Sequence, residues 1–260
     1  MKANFLFLGT GASTGVPLIG CSCSVCQSTD PHNKRLRPAG LLRVGDKTLL
    51  IDVGPDFRQQ ALACGLTTLD GLLLTHTHYD HIAGIDELRV FNFRQQKPFP
   101  VLLSHESMAD LKERYAYMFK KRLEGDSHAT TLDCHLLPGA AGTLDFLGVE
   151  IRYVSFQQAS MKVNGFRIGS FAYVTDIQEY DEEVLRFLEG VEWLVLSALR
   201  EDPSPVHFSL AEAADFAQKV GATRTWLTHL SHAVDQKSAS AKLPTNVQLG
   251  FDGLEFSFDF

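Results

Sequence analysis

The sequence predicts an α/β protein in which two sheets pack face to face with helices on their outer surfaces. Three observations carry this. Short apolar runs bounded by glycine-rich turns cluster in each half of the chain, amphipathic stretches fall between them rather than in a separate block, and no low-complexity linker interrupts the sequence. The 260 residues are therefore read as one domain, 1–260, long enough to bury about three quarters of the unfolded surface without disulfides. An apolar fraction of 45% and a charged fraction of 21% are those of an ordinary globular chain.

The elements follow in order. Residues 1–9 form a strand-like run that ends at Gly9. That run is too short for a signal peptide and lacks a cleavage site, and no apolar stretch approaches the roughly 20 residues of a membrane span, so a cytoplasmic, non-membrane protein is expected. Leu41–Val44 and Thr48–Gly54 read as a hairpin around Gly45-Asp46. Pro55 opens a helix through Ala63, stopped by Gly65. Gly71–Thr75 is a buried strand, and Ser104 is the N-cap of an amphipathic helix to about Lys121. In the second half, strands are expected at Val149–Val154, Gly165–Ile168, Phe171–Thr175, Trp193–Ser197, Arg224–Thr228, Val247–Gly250 and Leu254–Phe258. Helices are expected at Asp181–Leu188 and Ser209–Val220. Leu123–Gly142 has the least regular pattern and reads as a flap.

Two clusters carry chemistry. Cys21, Cys23 and Cys26 are too close in sequence to bridge one another well, whereas thiolates at this spacing wrap one soft cation. Cys64 and Cys134 read as ordinary half-buried thiols. The second cluster is Thr75-His76-Thr77-His78-Tyr79-Asp80-His81, directly after a buried strand. Ligand-type side chains packed this densely on a rigid strand end suit one or two divalent metals, and the mixture of imidazole and carboxylate favours zinc, manganese or iron over calcium. A net charge of −7 argues against a partner as long as a nucleic acid, which would demand many cationic contacts, but leaves room for a small phosphorylated substrate. A homodimer is compatible with the sequence.

The run His76-Thr77-His78-Tyr79-Asp80-His81 resembles the His-x-His-x-Asp-His signature of the metallo-β-lactamase superfamily, and the resemblance extends over nearly the whole chain. Ile51-Asp52-Val53-Gly54, Tyr173-Val174-Thr175-Asp176 and Leu227-Thr228-His229-Leu230-Ser231-His232 are similar to further motifs in the family's order. The cysteine cluster, His207 and the late Thr-His-Leu-Ser-His resemble the phosphodiesterase branch, which includes a phosphoribosyl cyclic phosphate phosphodiesterase. The resemblance implies a four-layer αββα sandwich. It implies one catalytic metal on His76 and His78, a second on Asp80, His81 and His229, and Asp176 bridging the two. A hydroxide between the metals would be the nucleophile and His207 the general acid, with Asp80 in the catalytic set. It also implies a structural zinc on Cys21, Cys23, Cys26 and His232.

The chain departs from the family at one ligand. Where a third histidine should complete the His76–His78 site, counting back from Gly165 leads to Gln158, and an amide oxygen is a poor zinc ligand. The expected function is hydrolysis of a small, perhaps cyclic, phosphodiester. The alternatives are a weakly active or non-catalytic metal-binding descendant and an RNA-processing nuclease of the same fold. Arg94 reads either as a phosphate anchor, with 91–94 and 123–135 as pocket walls, or as a surface cation.

Overall fold

The structure is a computed structural model that describes residues 2–120 and 129–260. One seven-stranded sheet holds β1 (Lys2–Gly9), β2 (Ala39–Val44), β3 (Lys47–Ile51), β4 (Gly71–Leu73), β5 (Phe99–Leu103) and β6 (Leu132–Leu136), with the last strand, β14 (Glu255–Asp259), added beside β1. The other holds β7 (Ala141–Phe146), β8 (Val149–Gln158), β9 (Met161–Ile168), β10 (Phe171–Val174), β11 (Trp193–Ser197), β12 (Arg224–Thr228) and β13 (Val247–Leu249) in chain order. Each sheet starts antiparallel and becomes parallel: β3 to β6 run parallel in the first, β10 to β13 in the second.

Three apolar layers account for the αββα stacking. Between the sheets, Phe5, Phe7, Ile51 and Leu73 meet Tyr153, Phe166, Phe171 and Tyr173, with the Phe5 and Phe171 rings 4.9 Å apart. Outside the first sheet, Leu50, Leu72 and Val101 are covered by Phe57, Ile82, Phe91 and Leu111 from its helices. Outside the second, Leu194, Leu196 and Leu227 are covered by Val184, Leu188, Ala213 and Phe216. Each such large apolar side chain contributes about 1.5–3 kcal/mol when fully buried, which fixes which face of each strand turns inward.

Local chemistry sets most boundaries where the sequence expected them. Ser209 caps the helix Leu210–Val220 in a capping box with Glu212, and Gly221 ends it at φ 73°. Asp181 caps Glu182–Leu188 by accepting from the Glu183 and Val184 amides. The helix after Ser104 is shorter than expected. It spans His105–Arg114 and tightens into a 3₁₀ turn at Ala116–Met118, which drops Met118 into the outer core.

The flap reading of 123–142 is corrected where it can be followed. Residues 121–128, with Leu123 and His128, lie outside the described residues, but β6 and the start of β7 occupy the remainder. Their alternation is hidden because β6 is an edge strand whose Asp133 and His135 face solvent.

Candidate metal centre

Strand ends aim every member of the site. Beyond β4 the chain runs through Thr75-His76-Thr77-His78, and the short helix Tyr79–Ile82 presents Asp80 and His81. That helix docks on the turn after β3: the Val53 amide donates to the His81 carbonyl at 2.7 Å, and the Gly84 amide to the Val53 carbonyl at 2.8 Å. A Cβ on Gly54 would collide with the Asp80 carbonyl, so the Asp-x-Gly motif is required by this close approach. Asp52, Asp176 and His229, just past β3, β10 and β12, have φ of 62°, 54° and 62°. Left-handed backbone at three non-glycine residues is costly, and here all three side chains turn into one cluster.

The cluster has two unequal halves. In one, His81 Nε2 lies 3.4 Å from Asp80 Oδ2 and 3.3 Å from Asp176 Oδ1, and His229 Nε2 lies 3.3 Å and 3.6 Å from the same two oxygens. Four donors 2.0–2.1 Å from a tetrahedral zinc stand roughly 3.4 Å from one another. Among the described residues His81 Nε2 makes no hydrogen bond although it is fully buried. The donor set, its spacing and this orphaned nitrogen fit a divalent cation. In the other half, His76 Nε2 is 3.7 Å from Asp176 Oδ2 but only 2.8 Å from His78 Nδ1.

Asp52 sets the tautomers. Its Oδ2 accepts from His81 Nδ1 at 2.6 Å, which turns Nε2 towards the cluster, where its lone pair would be available to a cation that displaces the proton. Thr75 gives its hydroxyl proton to Asp52, at 2.8 and 3.0 Å, so its oxygen accepts from His76 Nδ1 at 3.0 Å and frees His76 Nε2 as well. Asn164 of β9 holds the Thr75 carbonyl through both its backbone and side-chain N–H, at 2.9 and 2.8 Å, tying this loop to the second sheet.

The electrostatics favour positive charge. Burial opposes ionisation of Asp176, but His229, His81 and His76 outweigh it and hold the carboxyl well below its ordinary range; Asp80 is lowered likewise by His81 and His229. Burial also opposes the charged form of His81, yet Asp80, Asp176 and Asp52 lift it well above the usual histidine value. His76 is pushed far down by burial and by His81.

Gln158 ends β8 inside this site, 4% exposed. His207 stands beside it, its ring nitrogens 3.2 and 3.3 Å from Gln158 Nε2 and its Nδ1 3.9 Å from Asp176 Oδ2. Burial and then His229 lower His207 to about 4. A cavity of about 460 Å³ opens above the cluster, and Ser13, Tyr79, Met161 and Val206 line it with the ligand-type residues.

The cysteine cluster is also assembled as the sequence expected. Cys21 and Cys23 Sγ both lie 3.5 Å from His232 Nδ1, and Cys26 joins them in one group. With zinc–sulfur near 2.3 Å and zinc–nitrogen near 2.05 Å, the tetrahedral sulfur–nitrogen edge is roughly 3.5 Å. Backbone N–H groups of Leu18 and Cys26 point at Cys26 and Cys23 Sγ. The Cys26 amide first, and His232 next, lower Cys23 to about 6. Cys64 and Cys134 are free and half-buried, as expected.

Arg94 follows the surface reading: it bonds the Thr67 carbonyl at 3.2 Å and does not line the cavity. The expectation that 91–94 walls the pocket fails, because Phe91 packs into the outer core. The described cavity walls come instead from Ser13, the turn Ala159–Ser160 and the loop around Val206. The sequence reading also missed the role of Asp52. Its signal was an acidic residue at the end of an apolar strand, two positions before a glycine.

Residues 47–230 match the family described as the beta-lactamase superfamily domain. The chain belongs to that superfamily. A solved structure, a diphosphatase from the PhnP family, is 34% identical, covers 99% of this chain and 98% of its own, and superposes with a TM-score of 0.91. It places the chain in the phosphodiesterase branch that the motifs suggested. An octanoyltransferase of Porphyromonas gingivalis is 34% identical over 258 residues, which are 98% of this chain but 51% of that protein, so the chain spans about half of that relative's length. A ribonuclease Z of Methanopyrus kandleri is 26% identical over 88% of this chain and 87% of its own. Superfamily relatives such as the diphosphatase and ribonuclease Z are hydrolases, and the fold goes with divalent metal binding. Among the described residues no helix is long and apolar enough to cross a membrane.

Proposed function

We propose that this chain is a metal-dependent hydrolase of a small phosphodiester, with a cyclic ester as the leading substrate class. The observation that carries the reading is the approach of the His81 and His229 Nε2 atoms to both Asp80 and Asp176 at 3.3–3.6 Å, at the floor of an open cavity with His207 on its wall. Zinc, manganese or iron bound there would supply Lewis acidity and an activated water. Asp80, His81, His229 and Asp176 would hold that cation, and Asp52 would keep the His81 lone pair directed at it.

His207 is assigned the proton for the leaving oxygen. Burial and His229 hold its ring neutral at neutral pH despite Asp176 and Asp80; a phosphate would add negative charge that favours the imidazolium. The cysteine cluster with His232 is assigned a structural zinc, because three thiolates and an imidazole leave no open position for substrate. The similarity to a PhnP-family diphosphatase supports chemistry at phosphorus. The net charge of −7 favours a small substrate over a transfer RNA.

The test is turnover by protein supplied with manganese or zinc. Bis(p-nitrophenyl) phosphate and a five-membered cyclic ribose phosphate should both be cleaved, and a precursor transfer RNA and a thioester should not. Cleavage of the RNA or thioester without cleavage of the phosphodiesters would move the chain to another branch.

A further inference from the structure

We infer that Gln158 is a hydrogen-bond donor to the bridging carboxylate and not a metal ligand, so that the catalytic pocket holds one firmly bound cation. The inference rests on the metal-site reading above, and its readout is metal content.

The orientation of the amide decides the matter. Gln158 Nε2 lies 3.1 Å from Asp176 Oδ2 and 3.2 Å from the Val206 carbonyl oxygen. A carboxylate and a peptide carbonyl accept, so the group facing both is the amide nitrogen with its two hydrogens. Turning the amide over would set its oxygen against two acceptors, on a side chain that is only 4% exposed. The nitrogen has no lone pair to offer a cation. The position is therefore filled by a donor that engages Asp176 Oδ2, the carboxylate oxygen facing His76.

The histidines on that side have the matching geometry. His76 Nε2 and His78 Nδ1 are 2.8 Å apart, a hydrogen-bond distance and well inside the roughly 3.4 Å edge of a tetrahedral site. Across Asp176 the corresponding distances are 3.3–3.6 Å, and four donor atoms converge there. One half offers four donors at cation spacing; the other gathers only three, His76, His78 and Asp176, and two of these stand at hydrogen-bond distance from each other. Gln158 also ties the Val206–His207 segment to Asp176, which makes it a positioning residue for His207.

Elemental analysis of wild type, Gln158→Leu and Gln158→His after equilibration with micromolar zinc and gel filtration tests this. Tight sites should number two per chain in wild type, one in the cysteine cluster and one in the pocket. Gln158→Leu should keep both, because no ligand is lost, while Gln158→His should rise to three. A wild-type chain with three, or a Gln158→Leu chain that loses one while its cysteines stay protected, overturns the inference. So does a Gln158→His chain that folds, judged by an unchanged melting transition, and still binds two. Turnover is not needed for any of these outcomes, so failure of the phosphodiester assignment would show separately.

Discussion

The two ligand clusters of this protein are built on opposite plans. The cysteine cluster takes three donors from one six-residue stretch and one from the loop after β12, and all four fall in one group. The histidine–aspartate cluster draws its donors from the ends of strands in both sheets, and its two halves differ in spacing and in hydrogen bonding. Closed coordination suits a clip, and Arg35 backs it. That buried guanidinium bonds the Val234 carbonyl at 2.8 Å and Gln236 Oε1 at 3.1 Å, fastening the N-terminal loop to the same C-terminal segment. Uneven coordination would leave room for the proposed substrate and proton donor. The contrast teaches that similar residue types serve fastening or chemistry according to how the backbone delivers them.

Separate removal of the two clusters breaks the comparison most sharply. Asp176→Asn takes away the charge shared by both halves of the pocket. Turnover should fall to background and the pocket cation should be lost, while one zinc stays with the cysteines; loss of both metals in elemental analysis would deny that the clusters are independent. His207→Ala should cost about a hundred- to ten-thousandfold on an alkyl phosphodiester and far less on a nitrophenyl ester, whose leaving group needs no proton. Equal losses on the two would remove His207 from the acid role.

Asp52→Asn sharpens the account of tautomer control. An amide cannot accept from His81, Thr75 Oγ and the Thr75 amide as the carboxylate does, so metal affinity should drop about ten- to a hundredfold with the fold retained. Zinc titration followed by calorimetry measures this, and unchanged affinity would leave Asp52 a merely structural residue.

These sites were unevenly legible in the sequence. Cys21-x-Cys23-x-x-Cys26 and His76-x-His78-x-Asp80-His81 announce themselves because their spacing is local and survives in any fold that keeps the loop. Asp176, His229, His207 and His232 could be assigned only through the family resemblance, since their meeting depends on strand ends far apart in sequence. The core strands β11 and β12 appeared at their observed bounds and are buried on both faces, whereas the exposed edge strand β6 did not. The orientation of the Gln158 amide depends on the Val206 carbonyl, 48 residues away, and no pattern encodes it.

The smallest effect concerns acidity. Cys23 is lowered from 9.0 to about 6, so its thiolate persists above that pH. In protein stripped of zinc, alkylation of Cys23 should rise through pH 6, not through 9; a midpoint near 9 would show that the Cys26 amide does not stabilise the thiolate.

The central claim is that one chain carries a closed clip and an uneven catalytic centre. A zinc-edge anomalous difference map from crystals of the zinc-loaded protein tests it directly. The account predicts a full peak among Cys21, Cys23, Cys26 and His232 and another among Asp80, His81, Asp176 and His229, with little beside His76 and His78. An absent clip peak, or two equal peaks astride Asp176, would contradict it.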